Sequence, residues 1–229
     1  MEFSLLGMWA KMGLMVKLLM FLLGAMSVYT LAVMLERAFV LRKGRAASSV
    51  FAGLVDKDDP NLRMSHVMKV AADPERGKYC FLSQIVGASL KEADLLTKEG
   101  QSPAVIFEAA QDTLTRALVL TTTQLRKRLV TLATAASGAP FIGLFATIMG
   151  LIRSFQEIAT TESGGIGAVS AGIGEALIGT LVGLFVAIPA MWAYNFFADR
   201  VDHMTVELNS TAGRVVERLL RREFPTSKA

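Results

Sequence analysis

The stretch GIGEALIGTLVGLFVAIPAMWAYN, residues Gly172–Asn195, decides how this chain folds. It is almost wholly apolar, yet it carries one carboxylate, Glu175, near its start. From Ala176 to Ala198 no residue is charged. A bilayer core of about 30 Å takes roughly 20 helical residues, so the run is long enough to cross one. In hydrocarbon every backbone N–H and C=O needs an internal partner, which makes such a run a helix.

Two more runs of this kind lie upstream. Leu14–Leu35 is interrupted only by Lys17, and Leu129–Ile152 has no charge. The chain of 229 residues is 52% hydrophobic and 19% charged, with a mean hydropathy of +0.45. Soluble domains carry about a quarter of their residues charged. A transmembrane β-barrel would show short segments of alternating polarity, and none is visible. The first run is too long for the core of a signal peptide and lacks a small-x-small cleavage site before Glu36. It reads as a retained span, with Lys17 extending its amine to the near interface.

Basic residues set the expected orientation, because cytoplasmic flanks of membrane helices are rich in Lys and Arg. Arg37, Arg42, Lys43 and Arg45 follow the first run. Arg126, Lys127 and Arg128 precede the second, and Arg200, Arg214, Arg218, Arg221 and Arg222 follow the third. The link between runs two and three holds only Arg153, Glu157 and Glu162. The expected order is a short periplasmic N-terminus (1–13), a first span (14–35) and a cytoplasmic helical loop (36–128). A second span (129–152) continues a helix begun near 103. A periplasmic link (153–167), a third span (168–198) and a cytoplasmic C-terminal helix and tail (199–229) complete it. The fold class is all-α membrane protein, three transmembrane helices with long helical cytoplasmic extensions.

The loop carries turn clusters at DKDDPN (56–61) and ADPERG (72–77). Ser102-Pro103 reads as a helix start, a capping hydroxyl followed by proline in the first turn. Phe107, Ala110, Leu114, Leu118, Thr121, Leu125 and Leu129 then recur at three and four, predicting one long helix to about Ile158. In the tail, Val201, Met204, Leu208, Val215 and Leu219 share one side of a helix. The net charge of +4 is explained by topology, since the basic residues do not gather with aromatics on a nucleic-acid face. No metal spacing joins His66 and His203, no nucleophile motif is present, and lone Cys80 reads as a small, partly buried residue. Catalytic and metal-ligating residues are therefore not expected.

The second run places Ala136, Pro140, Gly143, Thr147, Gly150 and Ser154 in one sector about 80° wide. The third does the same with Ala168, Gly172, Ala176, Gly179, Gly183, Ala187 and Ala190. Small residues let helices approach closely in lipid, where no hydrophobic effect drives them together. Such faces pack either on each other or around a common axis. The hydroxyls of Thr147 and Thr180 either serve a lumen or bond back to the carbonyl four residues earlier. Glu175 at membrane depth costs at least a few kcal/mol unless paired, hydrated or protonated; the alternative is a solvated position in the outer headgroup zone. Glu175 and Thr180 lie about 140° apart around the helix. Pro189 removes one backbone bond and invites a kink, and Trp192 and Tyr194 fit an aromatic belt.

The stretch APFIGLFATIMGLIRSF (Ala139–Phe155) followed by GIGEALIGTLVGLFVAIPAMWAYN resembles the ExbB/TolQ/MotA family of proton-channel subunits. The likeness is to its ExbB/TolQ branch, and Glu36-Arg37 after the first span is TolQ-like. That branch reads near P-[FY]-I-G-L-[FL]-G-T-V-x-G and G-I-x-E-A-L-x-x-T-x-x-G-L-x-x-A-I-P-A. The chain departs at Ala146, where glycine is common, and in its glycine-rich link. The resemblance implies a homopentameric ring around a dimer of an ExbD/TolR-like partner, one membrane helix per chain, bearing an essential aspartate. It matches Thr147, Thr180 and Glu175 to the family's polar positions and Pro189 to the proline of A-I-P-A. It also implies proton flow as the drive and protons as the coupling ion, with no other cofactor. The setting is the bacterial inner membrane, and force passes to a TonB- or TolA-like or motility envelope protein. Glu175 would either tune proton entry or hold subunit contacts. The rival reading is a passive oligomeric scaffold without ion flow.

Overall fold

The computed structural model describes residues 12–55, 64–71, 79–160 and 166–224, less the side chains of 160, 166–171 and 175. The turn clusters expected at 56–61 and 72–77 and the glycine-rich link at 161–165 lie outside the described residues. The described residues form six helices: α1 Leu14–Val55, α2 Met64–Ala71, α3 Phe81–Lys98, α4 Pro103–Arg126, α5 Leu129–Thr160 and α6 Ile166–Glu223. Among the described residues three stretches are helical, apolar and long enough to cross a membrane, one in α1, one reaching through α5 and one in α6. The chain is an all-α membrane protein, with no strand among the described residues.

The chain divides into two compact units. The first comprises Met1–Leu35 and Arg128–Phe196. Here α1 presents Val16, Met20, Leu23, Thr30 and Val33, all buried, at helical spacing. Leu23 packs with Ala139, Val186 and Ala187, while Val16 and Met20 pack with Met12 and Ala146. Met26 and Met149 fill gaps beside these clusters, a use suited to an unbranched, adaptable side chain. The opposite faces carry exposed Phe21, Phe141, Phe145, Leu181, Phe185 and Trp192. That is the surface a lipid solvent selects, where apolar exposure has no cost. Pro140 and Pro189 sit inside continuous helices.

The second unit comprises Glu36–Lys127 and Phe197–Ala229. Its core is ordinary helix packing. Helices α3 and α4 pack on each other, burying Ile85, Val86 and Leu90 of the first and Ile106, Ala110 and Leu114 of the second, with Ser89 Oγ donating to the Ala110 carbonyl at 2.7 Å. The α6 residues Val201, Met204, Leu208, Val215 and Leu219 are all buried, as their spacing predicts. Cys80 is buried more fully than expected, at 2% exposure. Helix α3 ends in a Schellman turn: Gly100 takes φ +74°, its N–H bonds to Thr97 O, and Gln101 N–H bonds to Leu96 O. Ser102 precedes α4 with extended torsions and Pro103 in the first turn, but its hydroxyl makes no capping bond. The proline alone sets that start.

The helix expected from Pro103 to Ile158 is interrupted only at Lys127–Arg128, and Lys127 still has helical torsions (φ −49°, ψ −40°). Buried Arg37 accompanies the interruption. Its Nη1 donates to the Leu125 carbonyl at 3.0 Å, supplying a partner to an acceptor in the last turn of α4.

Candidate functional site

The small residues of α5 and α6 pack on each other. A methyl group added to Gly143 would lie 2.8 Å from Gly179 O and 3.2 Å from the Cα atoms of Gly183 and Thr180. One added to Gly183 would lie 2.8 Å from Ala139 O and 3.0 Å from Gly143 Cα, and one on Gly179 2.7 Å from Ala146 Cβ. Gly150 faces Ala176, with the corresponding distance 3.1 Å. Farther along, Gly172 is set directly against the Ser154 hydroxyl, which donates to Gly150 O at 2.9 Å. Backbone therefore rests on backbone along most of the seam, the geometry that side chains smaller than Val permit in a membrane. Among the glycines singled out in the sequence, Gly143, Gly150, Gly172, Gly179 and Gly183 all belong to this seam.

The seam's centre differs from the sector the sequence suggested. In α5 it runs through Ala135, Ala139, Gly143, Ala146, Gly150 and Ser154, all buried. Pro140 and Thr147 are half-buried at its margin, each about 100° around the helix from its buried neighbour. Ala139 and Ala146 have no exposure, and neither stands in the sector drawn from the sequence. Their spacing of three and four with Gly143 and Gly150 was the available signal. In α6 the seam uses Ala176, Gly179, Gly183, Ala187 and Ala190, which are buried, with half-buried Gly172 at one end. Thr180 is half-buried beside it, and Pro189 is exposed.

The two threonines are in different states. The Thr147 hydroxyl donates to the Leu144 carbonyl at 2.6 Å, three residues back rather than four. The Thr180 hydroxyl makes no bond to a described residue, although the carbonyl of Ala176 stands four residues before it. Glu175 lies in α6 one turn before Gly179, and its side chain is outside the described residues. Among the described residues no charged side chain enters the seam. At the far end of α5, Arg153 Nε lies 3.0 Å from Glu157 Oε1. No group of three or more His, Cys, Asp or Glu that could hold a metal occurs among the described residues.

Three apolar helices, two of them joined at backbone distance by a glycine and alanine seam with hydroxyls at its edges, define an integral membrane protein of the all-α class. The chain matches the MotA/TolQ/ExbB proton channel family over residues 81–210, more than half its length, and belongs to that family. It is 31% identical over 227 residues to the Tol-Pal system protein TolQ of Pseudomonas aeruginosa, spanning 96% of this chain and 95% of that one. The TolQ of Haemophilus influenzae is 28% identical over 202 residues, 88% and 87% of the two chains. The biopolymer transport protein ExbB of Pseudomonas putida is 29% identical over 214 residues, 92% of this chain but 61% of its own. Membership places the chain among channel and transport subunits rather than enzymes.

Proposed function

We propose that this chain is the ring-forming subunit of an inner-membrane motor driven by the proton-motive force. Five copies surround two membrane helices of a small ExbD/TolR-like partner, each helix bearing an aspartate. The N-terminus is periplasmic, and the loop 36–128 and the tail are cytoplasmic, as the Lys and Arg distribution favours. A Tol-Pal-type role in the envelope is the reading supported by similarity to TolQ over nearly both full lengths. Outer-membrane transport and motility are the other systems in which such a subunit would work.

The observation that carries this reading is the seam with an uncommitted hydroxyl at its margin. A proton crossing 100 mV releases about 2.3 kcal/mol. To become work, that energy must be tied to a carboxylate that is alternately neutral and charged in a low-dielectric passage. The partner supplies the carboxylate. Thr180 supplies a hydroxyl free to donate to it or to accept from water, since it is not bonded to a described residue. Thr147 already donates to Leu144 O, so it offers only acceptor capacity unless that bond opens. Glu175 tunes proton entry or holds a neighbouring copy. The close seam fixes the two helices as one body, so the hydroxyl stands at a defined place while the partner moves.

Co-reconstitution of the chain with its single-span partner in liposomes, with an internal pH dye, tests this reading. Thr180→Val and Glu175→Ala are each expected to reduce proton entry at least tenfold while the assembly still forms. If both substitutions leave entry unchanged, the chain is a scaffold without ion flow.

A further inference from the structure

We propose that Phe39, Arg42, Lys43 and Tyr79 form a binding site for the headgroup of an anionic phospholipid, in the leaflet adjoining this end of α1. The site lies outside the seam, and its test needs no proton flow. Phe39 is 59% exposed, an unusual place for a phenyl ring in the second unit. Its ring meets Tyr79 edge to face, centroids 6.4 Å apart at 89°. The Lys43 ammonium stands over both rings, 4.1 Å from the Tyr79 centroid and 5.6 Å from that of Phe39. A cation so placed is held in position while its remaining N–H donors face outward. Exposed Arg42, on the other flank of Phe39, has no ion pair among the described residues. Arg45 is engaged with Glu207 at 3.8 Å. The one acid on this side of the helix, Glu36, lies 3.8 Å from Arg37.

Depth selects the ligand. The apolar run of α1 ends at Leu35. At about 1.5 Å per residue Phe39 stands about 6 Å beyond it, and Arg42 and Lys43 about 11–12 Å beyond. The headgroup layer on each side of a bilayer is about 5–8 Å thick. Aromatic rings gather at that level, and long basic side chains just outside reach back to phosphates. Two cations, with Glu36 the nearest acid along α1 and lying 3.8 Å from Arg37, favour a lipid with net negative charge over a zwitterionic one.

The test uses the full chain in nanodiscs doped with phosphatidylglycerol carrying a photoreactive headgroup, or with phosphatidylcholine carrying the same group. Crosslinks are mapped by mass spectrometry. The peptides holding Phe39 and Tyr79 are expected to label on the order of tenfold more with the anionic lipid. Arg42→Gln with Lys43→Gln should abolish that preference. Lys91→Gln with Arg116→Gln, which removes the same charge elsewhere on the second unit, should keep it. Equal labelling by both lipids overturns the proposal, as does a preference that survives the Arg42 and Lys43 changes. Absence of labelling by either lipid would mean that a protein surface covers this face. Competition by millimolar inorganic phosphate would mean a free-anion site. Both results also overturn it.

Discussion

Gly143→Ala should loosen the membrane unit, while Gly138→Ala, five residues earlier in the same helix, should not. The added methyl at 143 would sit 2.8 Å from Gly179 O, and ordinary van der Waals contact begins at 3.4 Å. The two helices would have to part by the difference, about 0.6 Å, because the obstacle is backbone. A gap of 0.5–1 Å already forfeits a quarter to a half of the dispersion energy of the atoms lining it, and overpacking of this kind costs about 1–3 kcal/mol. A methyl at 138 meets nothing within 4 Å. Both substitutions gain the same helix propensity, about 1 kcal/mol in water and less in lipid. Subtracting one from the other isolates the seam, with a difference of about 2 kcal/mol expected in favour of Gly138→Ala. Unfolding of the full chain in bicelles by steric trapping, or by titration with a denaturing detergent, measures it. Gly183→Ala should behave like Gly143→Ala, since its methyl would lie 2.8 Å from Ala139 O. The double variant should cost less than the sum, because helices parted for one methyl partly accommodate the other. Equal stability of the Gly143→Ala and Gly138→Ala chains would refute a seam at backbone distance.

Thr147→Val should cost no more than about 1 kcal/mol, one hydrogen bond to its own helix, and Thr180→Val less, since no described bond is lost. In the liposome assay the order should reverse, with Thr180→Val the more damaging to proton entry. Arg37→Met should destabilise the second unit by about 1.5–3 kcal/mol, the range for a buried hydrogen bond from a charged donor. Hydrogen exchange at residues 120–128 should rise, and Arg37→Lys should restore little, because an ammonium lacks the planar fork. Arg126→Gln removes an ion pair with Asp202 whose side chains are both more than half exposed. Thermal unfolding should move little, since such pairs contribute at most about 1 kcal/mol.

The fold was legible where the solvent leaves a one-dimensional mark. Lipid requires long runs almost free of charge, and Leu14–Leu35, broken only by Lys17, Leu129–Ile152 and Ala176–Ala198 are such runs. The second unit buries one stripe per helix, so the α4 and α6 stripes could be read from spacing alone, although Ile106 rather than Phe107 fills the first core position. The break at Lys127–Arg128 could not be read. Nothing local opposes helix there, and the acceptor it releases is met by Arg37, 88 positions away. The seam was half legible. That both helices carry a small face was plain, but a face about 80° wide leaves its centre uncertain by one residue. Large neighbours settled that choice, turning Ala139 and Ala146 inward and Pro140 and Thr147 to the margin. Ser102 shows the opposite limit: the residue type favours a cap, and the hydroxyl makes none.

The off-centre threonines matter for any mechanism built on this subunit. A hydroxyl in the middle of a seam at backbone distance would be sealed between two helices, unable to meet water or a third helix. One turned fully outward would face lipid. Thr147 and Thr180 occupy neither position: each is half-buried one residue from the buried line, Thr147 beside Ala146 and Thr180 beside Gly179. The glycines and alanines of the seam hold two helices close together, and Thr147 and Thr180, each following a buried residue, stand half-buried at its edge. This gives Gly143→Ala a second consequence. Parting the helices by about 0.6 Å would displace Thr180, whose Cα, like that of Gly183, lies 3.2 Å from the new methyl. Proton entry should then fall further than the lost stability alone explains. A Gly143→Ala chain that conducts at the native rate in the liposome assay would separate the seam from proton entry.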